Sequence, residues 1–322
     1  MADLDQTARR LAGILTGGGS TLSDPAGRDL VFEPTVSIHP LERRGAPPDA
    51  WAVDGGQALV ADARCLQLYV TRAATVRWRD GSCVREDEGA LSAHLLGLGE
   101  SRATLAAAGV PVDPDTAVDV NLLRDWAEWQ AVSAAVDACE PGGLVLVDGD
   151  LQPDWRIPAA WVAALLERAG ARGVLLAGIT KHSSLARSGT PLVGAMELEA
   201  EATFGSRATW WARVATTRPE LGPGLGVHVA RLDPDARFAF RVDLPADADP
   251  AGGLGRLAAL CDDAAFPGYP YPLAVADRLA ACPGWLRAEL FRRVDDALAG
   301  AGVAPEVRER AFTDRHRLME RA

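Results

Sequence analysis

The order in which strand-like and helix-like segments alternate is the feature that most constrains the fold of this chain. In the middle of the chain these segments are strands at 51–54, 57–64 and 66–78, a helix at 121–139, a strand at 144–148, a helix at about 158–169 and a strand at 173–179. Strands joined by tight turns pair antiparallel, whereas strands joined through helices run parallel. The sequence therefore predicts an α/β fold, with a mixed β-sheet that helices flank.

Two of these strands run directly into an Asp-Gly pair. Asp54-Gly55 follows the first strand, and Asp148-Gly149 ends the apolar strand at 144–148. A carboxylate beside a hydrophobic core is costly unless the site uses its charge. Asp-Gly is also a favoured hairpin turn, and we interpret Asp80-Gly81 in that way because strand-like runs flank it. A loop and a helix follow Asp148, so the hairpin interpretation does not account for that pair.

The element order is that of a ribonuclease-H-like α/β domain. In such a domain the strand of Asp54 lies beside the strand of Asp148, so the two carboxylates are expected to meet at one edge of the sheet. The helix at 121–139 packs across that sheet and offers Glu128 as a third carboxylate. The competing interpretation is an exposed ion pair of Arg124 with Glu128 at i, i+4, and on the pattern alone this interpretation is favoured.

Converging carboxylates would form a site for divalent metal ions. Carboxylate oxygens are the ligands that Mg²⁺ and Mn²⁺ prefer, and this set contains no thiol or imidazole. Two such ions would share a bridging aspartate, activate a water and stabilise the leaving oxygen of a phosphodiester. Asp150 is either a further ligand or a solvated turn residue. We expect Gly55 and Gly149 to leave room for a phosphate backbone.

Lys181 is the one lysine among 33 basic residues. An ammonium group is a compact charge that contacts a single phosphate oxygen in a way that the planar guanidinium of arginine does not reproduce. Lys181 follows the strand at 173–179, which is predicted to run parallel to the strand of Asp148. We therefore expect Lys181 at the same sheet edge, as a phosphate contact. The alternative is a surface lysine that survives by chance.

The composition limits the classes of function. A net charge of −11 argues against a protein that coats nucleic acid by bulk attraction, but not against a nuclease whose metal ions neutralise local carboxylates. We expect no signal peptide, because the first residues are acidic and no basic-then-apolar segment follows. We also expect no membrane span, because no run of about 18 apolar residues occurs. The five cysteines form no C-x-x-C pair. We expect them to be reduced core thiols in a cytoplasmic protein.

The remaining segments add further elements around this core. They are predicted helices at 3–16, 192–204, 252–264, 272–281, 285–299 and 304–320, predicted strands near 208–215, 225–232 and 237–244, and a loop at 99–120. The stretch at 245–253 is the candidate hinge, but it is short. We therefore expect one elaborated domain over residues 1–322, with a ribonuclease-H-like core at about 50–245 and a helical C-terminal part at about 252–322.

Five sequence blocks between about residues 50 and 280 resemble the NurA nuclease family in their order and spacing. The blocks are Ala52-Val53-Asp54-Gly55-Gly56, Arg124-x-x-x-Glu128, Val145 to Leu151, Gly178 to Ser183, and Gly268 to Leu273. Each block alone is weakly specific, whereas the five in sequence are fairly specific. By this resemblance, the positions that match the family's metal-binding acids are Asp54, Glu128 and Asp148. Lys181 matches its lysine after the fifth strand.

Two further matches carry the resemblance less strongly, and one position departs from it. Tyr269 lies in the family's Gly-Tyr-Pro block, and Arg241-Val242-Asp243 resembles its late R-V-E/D strand. Asp277 departs from the pattern, because members commonly carry a histidine there, after Pro-Leu-x-x-Ala. An aspartate can still bind a metal ion, but it is neither a cationic partner for phosphate nor a neutral proton carrier at pH 7.

The resemblance implies an activity and a set of partners. The activity is that of a Mn²⁺-dependent (or Mg²⁺-dependent) nuclease with two ions, acting on DNA as a 5′→3′ exonuclease and single-strand endonuclease. The setting is DNA end resection in double-strand-break repair, by a cytoplasmic homodimer that associates with the nucleoid and docks on a hexameric HerA-type ATPase.

Two alternatives from other classes stay open. Asp277 supports a catalytically weak subunit that serves as an adaptor of the ATPase. A small-molecule phosphohydrolase would use Asp148 and Asp150 as nucleophile and acid, but this hypothesis leaves Asp54 without a role.

Overall fold

The protein is built around one long twisted sheet, which carries both aspartates of the two Asp-Gly pairs. A computed structural model describes residues 3–17, 19–25, 29–47, 49–218, 224–313 and 319. The strands are β1 (Leu22–Ser23), β2 (Leu30–Phe32), β3 (His39–Pro40), β4 (Asp49–Asp62), β5 (Gln67–Arg79), β6 (Ser82–Asp87), β7 (Ser92–Leu96), β8 (Leu144–Asp148), β9 (Leu175–Thr180), β10 (Ala186–Arg187), β11 (Thr190–Pro191), β12 (Trp210–Thr217), β13 (Leu225–Arg231) and β14 (Phe240–Pro245).

Helices precede and follow the strand β8, and four described helices follow the last strand. They are α1 (Leu4–Thr16), α2 (Glu100–Ala108), α3 (Val120–Ala138), α4 (Ala159–Ala171), α5 (Leu192–Phe204), α6 (Pro250–Ala258), α7 (Tyr271–Ala280), α8 (Gly284–Gly300) and α9 (Pro305–Phe312). The end of the helix predicted at 304–320 lies outside the described residues. Within the described part of the chain, no helix is both long enough and apolar enough to cross a bilayer.

The main sheet has the predicted mixed topology. Its strand order is β2-β12-β13-β14-β9-β8-β4-β5-β6. The strands β4, β5 and β6 pair antiparallel, whereas β4, β8 and β9 run parallel, because helices make the connections between them. This confirms the predicted ribonuclease-H-like arrangement, which β14, β13 and β12 extend at the far edge.

The side chains of β8 divide the core between two helical layers. Successive residues of a strand point to opposite faces of the sheet. On one face, Val147 belongs to a buried cluster with Trp129 of α3. On the other face, Leu146 belongs to a cluster with Leu273 of α7. The sheet is therefore covered on both faces, which explains why β8 is apolar throughout until Asp148.

Several predicted boundaries were wrong. The segments at 51–54 and 57–64 form the single strand β4, so Asp54 lies inside a strand and not at its tip. The region 99–120, predicted as a loop, contains α2. The helix predicted at 121–139 begins one residue earlier, at Val120, as α3. Its N-cap is Asp119, whose Oδ1 accepts a hydrogen bond from the backbone N–H of Leu122 (3.0 Å). The expectation of core thiols fails at Cys65 and Cys83, which are exposed, although two other cysteines are buried.

The hairpin interpretation of Asp80-Gly81 is confirmed. The two residues connect β5 to β6, and both have positive φ angles (49° and 77°). Positive φ at both central positions is what a two-residue hairpin turn with the twist of its strands requires, and Asp-Gly meets this requirement at low cost.

The C-terminal end of α7 is docked against β4 and β5 by a glycine and a buried arginine. A Cβ on Gly56 would lie 1.8 Å from the carbonyl oxygen of Ala280, so only glycine permits this approach. The guanidinium of Arg72 donates to the carbonyl oxygens of Ala280 (3.1 Å) and Ala281, and it pairs with Glu88 at 2.9 Å. These bonds satisfy carbonyls that the helix end leaves without partners. The position of α7, and of Asp277 within it, follows from this docking.

Replacing Gly56 with alanine is expected to lower the free energy of unfolding by roughly 1–3 kcal/mol. The added methyl group meets backbone atoms of α7 that have no freedom to turn aside. The matched control is Gly170→Ala in α4, where no described atom lies within 4 Å of a Cβ. Denaturant unfolding should show that this control is neutral or slightly stabilising, since alanine favours a helix by up to about 1 kcal/mol. Equal effects of the two substitutions would contradict the docking contact.

Candidate metal centre

The parallel pairing of β4 with β8 places Asp54 and Asp148 side by side. The register pairs Val53 with Val147, after which β8 ends at Asp148. The neighbouring strand β4 continues as far as Asp62, and beyond Val53 it is paired only with β5, which lies on its other side. The two aspartates are therefore the next residues on adjacent strands, and they lie where the sheet narrows by one strand.

A third carboxylate reaches this point from α7. Carboxylate oxygens of Asp54, Asp148 and Asp277 all lie within 4.8 Å of one another. Asp54 and Asp148 are partly buried and Asp277 is exposed, so the cluster is open to solvent on one side. These three residues come from β4, β8 and α7, elements that are distant in the sequence. We call them the acidic cluster.

Lys181 binds two members of the acidic cluster. It follows the last residue of β9, and its Nζ lies 2.6 Å from Asp148 Oδ2 and 2.6 Å from Asp277 Oδ1. The same ammonium lies 5.2 Å from the centre of the Tyr269 ring. Burial would lower the pKa of Lys181, but the hydrogen bonds to the two aspartates raise it. Lys181 is therefore a fixed positive charge at the sheet edge where the sequence predicted it.

Glu128 borders the acidic cluster from α3. Its side chain is 5% exposed, so the exposed ion pair with Arg124 that the spacing favoured is wrong. A Cβ on Gly55 would lie 2.6 Å from Glu128 Oε2 and 3.2 Å from Cγ of Arg124. Gly55 therefore makes room for α3, and not for a phosphate backbone as expected. At Gly149 the expectation fits better, since no described atom lies within 4 Å of a Cβ there.

The acids at this edge hold their protons more tightly than free carboxyl groups do. Burial, together with the charges of Asp148 and Asp277, raises the pKa of Asp54 to about 7. Burial, and then the charge of Asp54, raises the pKa of Glu128 well above its ordinary value. Burial also raises the pKa of Asp148, although Lys181 opposes this shift. One lysine does not compensate the negative charge of these groups.

Tyr269 and Asp150 occupy different surroundings. The Tyr269 hydroxyl lies beside Asp148 but makes no hydrogen bond of good geometry within the described part of the chain; burial raises its pKa. Asp150 lies outside the acidic cluster and accepts a hydrogen bond from the backbone N–H of Gln152 at 3.1 Å. The structure thus brings together Asp54, Asp148, Asp277 and Lys181, with Glu128 and Tyr269 beside them, and does not bring in Asp150.

Asp125 is a half-buried acid on the same helix as Glu128, and the sequence assigned it no function. Its Oδ2 accepts a hydrogen bond from the backbone N–H of Asp154 at 2.5 Å, which ties α3 to the loop after β8. Burial raises the pKa of Asp125 to about 6. The sequence did not single out Asp125, because its position on the helix relative to Glu128 does not distinguish it from an ordinary surface acid.

Comparison with known proteins gives a match at the level of fold. No protein-family model and no curated protein matches the chain. The crystal structure of the NurA nuclease from Sulfolobus solfataricus is similar over 93% of this chain and 95% of that chain, with a TM-score of 0.59 and 15% sequence identity. The chain has a NurA-like fold.

Two other solved structures are less similar. A second NurA structure covers 74% of this chain and 86% of its own, with a TM-score of 0.46 and 10% identity. The catalytic domain of human endonuclease V covers 83% of this chain and 93% of its own, with a TM-score of 0.39 and 12% identity.

In this NurA-like chain the acidic cluster has the chemistry of a divalent cation site. Three hard oxygen ligands from different elements converge without a thiol or imidazole among them. Burial, and after it the charges of neighbouring acids, raises the pKa values of Asp54 and Glu128, so the ionised forms are disfavoured where these oxygens meet. A bound cation would offset that repulsion. The residues present therefore fit Mn²⁺ or Mg²⁺.

Replacing Asp54 with asparagine is expected to stabilise the metal-free protein at pH 8. The pKa of Asp54 is about 7 in the folded protein against an ordinary 3.8, so the folded state binds this proton more tightly than the unfolded state. Wild-type stability therefore falls as the pH rises through this window. Asparagine does not ionise, so the variant avoids this loss of stability, which amounts to at most roughly 4 kcal/mol. Denaturant unfolding in a chelator between pH 4 and pH 8 measures the difference, which should be largest at pH 8.

The control for this measurement is Asp80→Asn in the exposed β5–β6 turn. It removes the same charge away from the acidic cluster and should leave the pH dependence of unfolding unchanged. Added Mn²⁺ should stabilise the wild type more than the Asp54→Asn variant. An Asp54→Asn variant that is less stable than the wild type at pH 8 would contradict a raised pKa of Asp54 in the folded protein.

Proposed function

We propose that this chain is a divalent-metal-dependent DNA nuclease that hydrolyses phosphodiester bonds. The observation that carries the proposal is the convergence of Asp54, Asp148 and Asp277 within 4.8 Å, with Lys181 bonded to two of them. Hydrolysis of a phosphodiester requires cations that activate water and a positive charge that binds the phosphate. The carboxylates would hold such cations, and Lys181 is the positive charge beside them. The NurA-like fold agrees with this function, because the solved structure that the chain resembles over most of its length is that of a nuclease.

Each residue has a distinct role in this proposal. Asp54, Asp148 and Asp277 would hold Mn²⁺ or Mg²⁺, with Glu128 as a further ligand from α3; two ions fit the number of carboxylates. When bound, such ions activate a water and stabilise the charge on the leaving oxygen. Lys181 contacts a non-bridging phosphate oxygen, for which it exchanges one of its two carboxylate bonds.

Tyr269 and Asp150 act around this set. The Tyr269 ring lies against the Lys181 ammonium and restricts where that charge can move. Its hydroxyl is free to bond to Asp148 or to substrate. Asp150 shapes the turn after β8 and is a supporting residue in this proposal, not a metal ligand. The phosphohydrolase alternative would need Asp148 and Asp150 to converge, and the acidic cluster does not include Asp150.

The finer properties of the proposal rest on the sequence resemblance to NurA nucleases. They are 5′→3′ exonuclease and single-strand endonuclease activity, DNA end resection in double-strand-break repair, a cytoplasmic homodimer, and docking on a HerA-type ATPase. The net charge of −11 supports the last of these, because a nuclease that receives DNA from a motor needs little DNA affinity of its own. We further propose that residues 1–322 form one domain, since α6 and α7 share a core cluster with the central strands.

A second candidate function is that of a catalytically weak subunit that acts as adaptor of the ATPase. Asp277 favours it, because this carboxylate stands where NurA sequences commonly have a histidine and binds the Lys181 ammonium at 2.6 Å. In this arrangement Lys181 is engaged with carboxylates, and its charge is less available to a phosphate.

Cleavage of end-labelled single- and double-stranded DNA with Mn²⁺, Mg²⁺ or chelator tests both candidates. We expect cutting with Mn²⁺ in the wild type, and a loss of at least about 100-fold in Asp54→Asn and in Asp148→Asn, because each removes a cation ligand. The exposed Asp80→Asn variant should cut like the wild type. Inactive wild type with an active Asp277→His variant would support the adaptor. Metal-independent cutting would contradict the proposed site.

A further inference from the structure

A buried ion pair on β14 contacts the turn that follows Asp148. The side chains of Arg241 and Asp243 are both 0% exposed, and they make two bonds at 2.8 Å, Nε to Oδ1 and Nη2 to Oδ2. The same Asp243 Oδ2 accepts a hydrogen bond from the backbone N–H of Leu151 at 3.4 Å. Leu151 is three residues after Asp148. Asp243 therefore contacts, across β9, the turn that follows β8 and its cluster residue Asp148.

The turn itself is pressed against β9. A Cβ on Gly178 would lie 2.7 Å from the carbonyl oxygen of Gly149 and 3.0 Å from the backbone nitrogen of Leu151, so only glycine permits this contact. The backbone N–H of Gly149 donates to the carbonyl oxygen of Ile179 at 2.9 Å. The turn is thus held at its first residue by β9 and at its third by Asp243. The direction in which Asp148 leaves β8 follows from these two attachments.

Stability alone does not account for this pair. Replacing a buried ion pair by apolar residues of similar volume is often neutral or stabilising, because desolvation of the charges cancels their attraction. Arg241 also keeps a third donor, Nη1, buried without a hydrogen-bond partner within the described part of the chain. A costly arrangement beside the acidic cluster indicates a role in the geometry of that cluster.

We propose that Asp243, oriented by Arg241, is a positioning residue for Asp148. Asp243 fixes the turn at Leu151, and the fixed turn holds the Asp148 carboxylate in the direction of the cation site. Groups that hydrogen-bond a metal ligand directly commonly alter metal affinity by 10- to 100-fold when they are removed. Asp243 acts through the backbone of Leu151, so we expect the lower end of this range. This inference rests on the proposed metal-dependent function, since it concerns the binding of a cation by Asp148.

Two double variants that differ only in the residue at position 243 test the inference. Both carry Arg241→Met, so neither leaves a buried charge unpaired; one adds Asp243→Asn and the other adds Asp243→Leu. Asparagine and leucine have similar size, but only asparagine accepts the Leu151 N–H. Titration with Mn²⁺, followed by the electron paramagnetic resonance signal of the free ion, gives the affinity. Hydrogen exchange of the Leu151 amide, in chelator, reports the turn.

We expect the Asp243→Leu double variant to bind Mn²⁺ about 10-fold more weakly than the Asp243→Asn double variant. Its Leu151 amide should exchange faster, whereas the asparagine variant should stay close to the wild type in both measurements. Equal Mn²⁺ affinity of the two double variants would overturn the inference. If the leucine variant does not fold, Arg241→Met with Asp243→Ala takes its place and is held to the same comparison.

The Arg77–Asp49 pair is the matched control. Asp49 is also 0% exposed, binds Arg77 Nε at 2.8 Å and accepts a backbone N–H from Glu140 at 3.1 Å. It is the first residue of β4, whereas Asp54 lies inside that strand, beyond its pairing with β8. Arg77→Met with Asp49→Leu should change the unfolding midpoint and leave Mn²⁺ affinity unchanged. If the wild type binds no Mn²⁺, the proposed function fails, and Leu151 exchange decides the positioning role separately: equal exchange in the two Asp243 double variants overturns it.

Discussion

The parallel pairing of β4 with β8 ends one residue before each aspartate, and the rest of the site depends on where it ends. Past this point β4 continues without β8 beside it, which leaves space next to Asp54. The next two residues of β4, Gly55 and Gly56, point to opposite faces of the sheet. Gly55 admits Glu128 of α3, and Gly56 admits the end of α7. Two missing side chains thus let two helices approach the middle of β4 from both faces of the sheet.

Electrostatic repulsion is the cost of this convergence. Burial and mutual repulsion raise the pKa values of Asp54 and Glu128, so at neutral pH part of the folding free energy opposes the ionised cluster. Packing elsewhere compensates: the apolar residues of β8 and the docking of α7 hold the carboxylates in place. A site that is unfavourable when empty gains more from a cation than a relaxed one does, because binding removes the repulsion.

Local patterns in the sequence predicted the strands and the tight turns, because these follow from short-range chemistry. The pairing of the strands that carry Asp54 and Asp148 is long-range, and it was predicted from the ribonuclease-H-like order of the elements. The same patterns failed for Glu128, since a buried acid and an exposed ion pair have identical i, i+4 spacing. The burial of Glu128 depends on Gly55, whose role becomes visible only when α3 is packed against β4. The loop predicted at 99–120 contains α2, a helix with weak amphipathic character and a single buried residue, Leu105.

Asp277 changes the charge balance that the NurA sequence pattern would give. A histidine at this position is largely neutral at pH 7, whereas an aspartate adds a full negative charge. That charge strengthens the attraction of the cluster for a divalent cation and weakens it for a phosphate. Lys181 bonds to this same carboxylate and so compensates part of the change within the chain. In the proposed nuclease, approach of DNA to this edge would therefore depend on bound cations more than it would with histidine, because the net charge of −11 already repels DNA.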